Sequence, residues 1–438
     1  MSTSTHLLRT RRFLPLFVTQ LFNAFNDNLY KNAMVLFVVY SIYNSESAEA
    51  AFSGLASGIF ILPFFLFSAL AGQLADMRDK ARIIRWIKFC EILIMLVGAG
   101  GLVMAWKGIA VDDFAIPLLL AALFAMGVHS TFFGPIKYAI LPQHLHRNEV
   151  LAGTGWVEAG TYIAILGGTI LAGWLEVEEA AVGIVLVAVV GWIISLQIPP
   201  APALGGGDEK LDWHILRASV RLVREAMRNA EVRYAILSIS FFWAIGTVLF
   251  VQFFPLAKNV IVAGKEVASL FLVVFSIGIA IGSVAVNRLL KGRVSALYSP
   301  ASVVVMGLFV AAFYLICKLW QADQPDSLLT VREFLAWPMA SLLLLALLGI
   351  AIFGGMFVVP LYAFLTTRVE PDHTSRAIAA NNIVNSGAMV GGSLLVMAIS
   401  AAGVPVTEQL LFTASLCVVS AWLAKKLIAA EIAAGHEP

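Results

Sequence analysis

The chain has 438 residues, of which 60% are hydrophobic and only 13% charged, with a net charge of +2. That leaves too little polar surface to coat a soluble globule of this length, and no basic patch argues for nucleic acid. The composition places the chain in lipid, where spans of roughly 20 apolar residues are the helical unit.

Twelve such stretches are predicted. Six lie near residues 13–43, 51–75, 83–106, 114–135, 150–175 and 180–198, and six near 233–257, 267–287, 297–320, 338–365, 377–402 and 405–424. Strand alternation is absent, which argues against a barrel. The first run is too long for a signal peptide and lacks a small-residue cleavage site, so it reads as the first span. Between the sets lie Pro199-Pro200-Ala201-Pro202, then Gly205-Gly206-Gly207, then a basic amphipathic stretch with Arg217, Arg221, Arg224 and Arg228. This pattern predicts a flexible linker followed by a surface helix. The domain plan is therefore a six-helix bundle over 1–198, a cytoplasmic linker over 199–232 and a second bundle over 233–438.

Charge sets the orientation. Of the 29 Lys and Arg, Lys107, Lys258, Lys265, Lys318 and Arg332 fall on one side and Lys31 and Lys88 within spans. The other 22 lie in the termini and alternate loops, among them Arg9, Arg11, Arg12, Arg78, Arg288 and Arg293. The positive-inside rule then puts both termini in the cytoplasm. The opposite loops are acidic, as at Asp112, Asp113, Glu178 and Glu179. Cys90, Cys317 and Cys417 are odd in number and without metal-like spacing, and read as packing residues.

The halves repeat in the same direction. At an offset of 224, Tyr138-Ala139-x-Leu141 meets Tyr362-Ala363-x-Leu365, and Gly167-Gly168-Thr169 meets Gly391-Gly392-Ser393. At 211, Asp76, Lys80 and Arg82 meet Asn287, Lys291 and Arg293. A 6+6 plan of this kind is that of two bundles related by an axis along the membrane normal, the major facilitator arrangement. Gly72-Gln73-Leu74-Ala75-Asp76-Met77-Arg78-Asp79-Lys80-Ala81-Arg82 resembles that superfamily's loop signature, G-x-L-x-D-x-x-x-R/K-x-R/K. Gly72 permits close helix approach, Asp76 suits a helix N-terminus or a basic partner, and Lys80 and Arg82 supply cations, a set expected to gate. The alternative is an ordinary positive-inside loop. Gly54-x-x-x-Gly58 and Gly278-x-x-x-Gly282 place small residues one turn apart for close or sliding packing.

Charges within spans are the functional leads, because each costs about 2.5 to 3.5 kcal/mol at a helix centre unless paired or hydrated. Asp27 lies mid-way along the first span in Asn23-Ala24-Phe25-Asn26-Asp27-Asn28-Leu29-Tyr30-Lys31-Asn32. Lys31, four positions on, shares its helix face, so the two are expected to pair, either as a packing device or as a pair that opens to a charged or zwitterionic ligand. Glu158 in the fifth span and Lys137 at the inner end of the fourth form a second set. Asn382 is the repeat mate of Glu158, with Asn381, Asn385 and Ser386 nearby, so a cavity between the halves is expected, against a purely structural hydrogen bond. Lys88 and Glu91 read as an interfacial pair and His129 as a satisfied bundle histidine. His144 and His146 lack further ligands at metal spacing, and no nucleophile and base cluster appears. Neither metal, cofactor nor catalytic residue is expected.

Phe22-Asn23-Ala24-Phe25-Asn26-Asp27-Asn28, Gly134-Pro135-Ile136-Lys137-Tyr138-Ala139-Ile140-Leu141, Val157-Glu158-Ala159 and Phe357-Val358-Val359-Pro360-Leu361 resemble the bacterial lysophospholipid transporter family of the major facilitator superfamily. The resemblance implies an all-α membrane protein of twelve transmembrane helices. It further implies a flippase that moves lysophosphatidylethanolamine and lysophosphatidylglycerol from the outer to the inner leaflet of a Gram-negative inner membrane, where they are re-acylated. Some relatives carry a basic residue mid-way along the seventh span, where this chain reads Thr247-Val248-Leu249-Phe250-Val251-Gln252, leaving Gln252 as the polar candidate there. The first span is most similar to forms fused to an acyltransferase, and none follows Pro438 here, so either a separate acyltransferase as partner or a truncated gene product is expected. In that picture the phosphate meets Lys31 or Lys137, an ammonium meets Asp27 or Glu158, Asn28, Asn382, Asn385 and Gln252 add polar contacts, and the acyl chain stays in a Phe-lined gap open to lipid. Two other classes fit the same pattern: a proton-coupled exporter of apolar drugs or other lipids, using Asp27 or Glu158 as its carboxylate, and a non-transporting membrane scaffold.

Overall fold

The computed structural model describes residues 6–42, 46–204, 211–322 and 324–435, so Gly205, Gly206 and Gly207 lie outside the described residues. Among the described residues the long elements are twelve helices: α1 (Leu14–Phe37), α2 (Glu46–Met77), α3 (Lys80–Trp106), α4 (Ile116–Ala139), α5 (Val150–Trp174), α6 (Val177–Ser195), α7 (Ala230–Pro255), α8 (Lys265–Leu289), α9 (Ser299–Gln321), α10 (Ala340–Thr367), α11 (Thr374–Ala401) and α12 (Val406–Ala433). Each coincides with one of the apolar stretches read from the sequence. Ten helices, α2 to α10 and α12, are long and apolar enough to cross a membrane. The exceptions, α1 and α11, have spanning length at 24 and 28 residues but carry the amides Gln20, Asn23, Asn26, Asn28, Asn32, Asn381, Asn382 and Asn385. The chain is an all-α membrane protein.

Local chemistry sets the helix ends. Pro15, Pro117 and Pro300 open α1, α4 and α9 at positions where a missing N–H costs nothing. Asn229 Oδ1 accepts the Glu231 and Val232 N–H groups at the start of α7, and Glu176 with Glu179 forms a capping box on α6. The linker helix Ile215–Ala226 is amphipathic, and Arg217 and Arg221 reach back to Asp212, at 3.7 and 3.1 Å. The His214 N–H holds the Asp212 carboxyl below the ordinary range, assisted by both arginines.

Residues divide into two compact units, the first of 1–153, 160–225 and 369–383 and the second of 154–159, 226–368 and 384–438. In the first, α2 packs on α4, α3 on α6 and α4, and α1 on α6; in the second, α8 packs on α10, α9 on α12 and α10, and α7 on α12. The same neighbour pattern recurs in each unit, which is the internal repeat expressed as packing. Glycine makes the closest approaches: a Cβ at Gly282 would overlap the Ile352 carbonyl, and one at Gly278 would lie 2.5 Å from Ala351 Cβ, so α8 seats on α10 there. Gly58 meets nothing within 4 Å, and the surroundings of Gly54 lie outside the described residues. Cys90 is exposed and Cys317 and Cys417 are buried, all as free thiols.

Candidate functional site

The polar face of α1 is where the first unit departs from an oily core. Thr19, Gln20, Asn23, Asn26 and Asp27 are all buried, at spacings of three and four that stack them on one helical face. Their partners come from far along the chain. Ser130 Oγ on α4 donates to Asp27 Oδ2 at 2.5 Å, and Asn23 Nδ2 stands 3.4 Å from both. Asn26 Nδ2 donates to Glu91 Oε1 on α3 at 2.8 Å and to the Ile184 carbonyl of α6 at 3.1 Å. Thr161 Oγ1 of α5 donates to Gln20 Oε1 at 3.1 Å.

Behind Asn26 lies an ionic centre. Lys88 and Glu91 form an ion pair in which neither side chain is exposed, and His129 Nε2 is 3.3 Å from Glu91 Oε2. The interfacial pair expected from sequence is thus fully interior, and His129 belongs to it rather than standing alone. Gly191 of α6 makes the room: a Cβ there would sit 3.0 Å from Lys88 Cε. The missed signal is depth. Glu91 is eleven residues into α3, about 16 Å along the helix, a depth at which an unpaired charge does not persist.

The expected Asp27–Lys31 pair does not form. Asp27 is taken by Ser130 and Asn23, while the Lys31 ammonium lies over the Phe60 ring, 5.6 Å from its centroid. A hydroxyl on α4, an amide one turn earlier on α1 and the attraction of a cation to an aromatic face outcompete the Asp27–Lys31 contact. Asp27 Oδ1 remains buried without a hydrogen-bond partner among the described residues. Asn28 turns its amide onto its own helix, donating to the Ala24 carbonyl at 2.8 Å, and Asn32 Nδ2 reaches Thr169 Oγ1 on α5 at 2.9 Å. That bridge depends on Gly168, where a Cβ would overlap the Phe25 carbonyl.

The remaining candidates divide between the units. Lys137 in the first unit lies over Tyr138, 4.8 Å from the ring centroid, and Asn382 Nδ2 is 3.0 Å from where a Cβ on Gly134 would stand. Glu158, Asn385 and Gln252 belong to the second unit, and Glu158 is buried there. Asn385 accepts from Ser240 Oγ at 2.6 Å and donates to Tyr362 Oη at 3.4 Å, while Trp243 Nε1 donates to the same phenol at 2.8 Å. Gln252 Nε2 is spent on Gln409 Oε1 at 3.1 Å.

The loop signature is organised around Asp76, whose two oxygens accept the Ser375 and Arg376 N–H groups, each at 3.0 Å, at the first turn of α11. Arg376 Nε adds an ionic contact at 3.7 Å. A carboxylate here satisfies orphan donors and meets the positive end of the helix dipole. Gly72 permits it, since a Cβ at that position would stand 2.6 Å from Ala379 Cβ. Asp79 caps α3 by accepting the Arg82 N–H at 2.9 Å and also accepts the Ala201 N–H at 3.2 Å. Lys80 is buried, whereas the Arg82 guanidinium is exposed and enters no ion pair among the described residues. Nearby, Arg12 grips Glu149 through two bonds of 2.6 Å. Burial pushes the Glu149 carboxyl up, but Arg12 and the His146 N–H outweigh it and hold it below its ordinary value.

Residues 16–393 match the family model of the Major Facilitator Superfamily. The chain is 25% identical over 406 residues to the lysophospholipid transporter LplT of Photorhabdus laumondii, covering 91% of each chain. It is 28% identical over 391 residues to the protein of the same name from Yersinia pestis, covering 87% of this chain and 85% of that one. In fold it is similar to the human organic anion transporter MFSD10, with a TM-score of 0.70 at 14% identity over 94% of this chain and 99% of that one.

Proposed function

The chain belongs to the Major Facilitator Superfamily, a superfamily of transporters rather than enzymes, and from that membership we propose that it transports lysophospholipids by alternating access with a lateral opening. The cargo class rests on the relatives named lysophospholipid transporter, matched along about nine-tenths of this chain. We take lysophosphatidylethanolamine and lysophosphatidylglycerol as the substrates, moved from the outer to the inner leaflet of a bacterial inner membrane with both termini cytoplasmic. The excess of Lys and Arg in alternate loops supports that orientation. A separate acyltransferase would consume the product.

The observation that carries the reading is the state of Asp27 and Lys31. The two sit one turn apart on α1, the carboxylate keeps one oxygen without a partner, and the ammonium rests on an aromatic ring instead of neutralising it. A zwitterionic head group offers both complements: its ammonium to Asp27 and its phosphate to Lys31, with Lys137 as a second cation. Asn28 and Asn382 are the amides proposed to assist in the first unit; in the second, Asn385 and Gln252 are the proposed amides and Glu158 a second carboxylate for the ammonium. Only the head group requires such a path, because the single acyl chain can stay in lipid. Gly72, Asp76, Lys80 and Arg82 are assigned to opening and closing rather than to substrate choice.

The test is uptake of labelled lysophosphatidylethanolamine by the full chain in proteoliposomes, with and without imposed ion gradients. Asp27→Asn, which preserves shape and the Ser130 bond, is expected to reduce uptake at least tenfold at unchanged membrane content. Wild-type uptake in that variant rejects the assignment of Asp27, and absence of lysophospholipid uptake by the wild type rejects the cargo.

A further inference from the structure

The first unit also carries a crevice on its surface that the proposed substrate path does not use, although its polar end shares Arg82 with the residues assigned to opening and closing. It has a volume of about 870 Å³ and runs between the end of α2, α3 and α4, a size that accommodates a whole small amphiphile. Its floor on α3 is the series Arg82, Trp86, Cys90 and Ile94, spaced four apart and so stacked along one face. Its opposing wall on α4 is the matching series Phe124, Val128 and Phe132. From Arg82 to Ile94 the crevice extends about 18 Å along α3, close to the depth of one leaflet of a hydrocarbon core about 30 Å thick. It opens sideways, with Trp86 62% exposed and Cys90 exposed.

Chemistry is graded along that length. The apolar part ends at the α2–α3 turn, where Arg78 and Arg82 both line the crevice and both are exposed. Neither guanidinium enters an ion pair among the described residues. Asp79 keeps its charge beside them, but its two oxygens are held by the Arg82 and Ala201 N–H groups and it forms no ion pair with either guanidinium, so two cations against one carboxylate leave the polar end net positive. Two unpaired cations at the polar end and a leaflet-deep apolar slot below them are complementary to one ligand class. An amphiphile with an anionic head and a long acyl chain fits, and the exposed flank joins the slot to the bilayer.

We propose that this crevice is a binding site for an anionic phospholipid of the phosphatidylglycerol class, resident in the leaflet on the positively charged side, with its phosphate between Arg78 and Arg82 and one acyl chain along Trp86, Cys90 and Ile94. It is separate from the Asp27 region, and its occupant is a bound lipid rather than cargo. His129 lies at the inner wall of the crevice and is itself buried against Glu91. A chain seated there therefore seals the ionic centre from the side.

Cys90 is the built-in probe, because the other two cysteines are buried. The full chain, labelled at Cys90 with bimane in nanodiscs, is titrated with acyl-brominated phosphatidylglycerol or acyl-brominated phosphatidylcholine. Two guanidiniums, each worth about fivefold near an anionic partner, together give about 25-fold, and the charge of Asp79 beside them reduces this, so the phosphatidylglycerol is expected to quench at a mole fraction roughly tenfold lower. R78Q/R82Q is expected to bring the two lipids to parity. Equal quenching by both lipids in the wild type, or an unchanged preference in R78Q/R82Q, overturns the proposal. Native mass spectrometry of the unlabelled protein is the check against interference from the label: one retained phosphatidylglycerol, lost in R78Q/R82Q, supports the site, and no retained lipid overturns it. Neither readout involves transport, so failure here is distinct from failure of the lysophospholipid assignment.

Discussion

Removing the charge of Glu91 while keeping its shape is the sharpest test of the interior of the first unit. Glu91→Gln preserves an acceptor for Asn26 Nδ2 but leaves Lys88, which is fully buried beside Gly191, without a counter-charge. Stranding one partner of a buried pair costs about 3 to 5 kcal/mol. At roughly 2 °C per kcal/mol for a protein of this size, the midpoint of thermal unfolding should fall by about 6 to 10 °C. The paired variant Lys88→Met/Glu91→Gln removes both charges with little change of volume, and is expected to recover to within about 2 to 4 °C of the wild type. Midpoints are read by fluorescence-detected size-exclusion after heating at one fixed rate, since unfolding of a chain this large is commonly irreversible. A single variant within about 2 °C of wild type, or a paired variant as unstable as the single one, would refute the account of Lys88 and Glu91 as a mutually dependent buried pair.

Three further outcomes follow from the geometry. Asp76→Ala strips the acceptor from the Ser375 and Arg376 N–H groups; charge-assisted bonds worth about 1.5 to 3 kcal/mol predict that amide exchange at the start of α11 quickens by about ten- to a hundredfold, and unchanged exchange would show the bonds are not made. Gly72→Ala forces a Cβ to 2.6 Å from Ala379 Cβ and should destabilise by about 1 to 3 kcal/mol, whereas Gly58→Ala, with nothing within 4 Å, should be neutral or stabilising; equal effects on unfolding would contradict the packing. Glu149 has a folded pKa depressed below its ordinary 4.5, so the stability it supplies with Arg12, about 2 kcal/mol, is present above that value and lost as pH falls through the lower folded one. The gap in midpoint between wild type and Glu149→Gln should be open at pH 7 and narrow below pH 4.5, and a gap that does not close on acidification would contradict the sign.

The fold was legible because lipid enforces it: a run such as Ser299–Gln321 has no alternative to a helix once its backbone leaves water. Even α1 and α11 were found despite their amides, since the flanking apolar residues keep the helical length. Helix ends were less legible. The last helix runs to Ala433, past Lys425 and Lys426, with the Lys426 ammonium over the Trp422 ring, so the charges that mark the end of the apolar run do not mark the end of the helix. Side-chain partners were the least legible of all. A Lys and a Glu three apart look alike at a surface and in a core, and what makes Lys88 and Glu91 interior is Gly191, a hundred residues later. The i,i+4 rule brings Asp27 to Lys31 only if nothing better is offered, and Ser130 and Phe60 offer better. Such choices are made by tertiary neighbours that no local spacing encodes.

The polarity of α1 reaches beyond the finished protein to its biogenesis. A nascent segment carrying Asp27, Lys31 and a row of amides gains little by entering oil alone, since a single mid-helix charge costs about 2.5 to 3.5 kcal/mol at the translocon. Its partners are Glu91 on α3, Ser130 on α4 and the Ile184 carbonyl on α6, all synthesised later. The segment made before its partners is therefore among the last to settle, since more than 150 residues separate Asn26 from the Ile184 carbonyl that it finally meets.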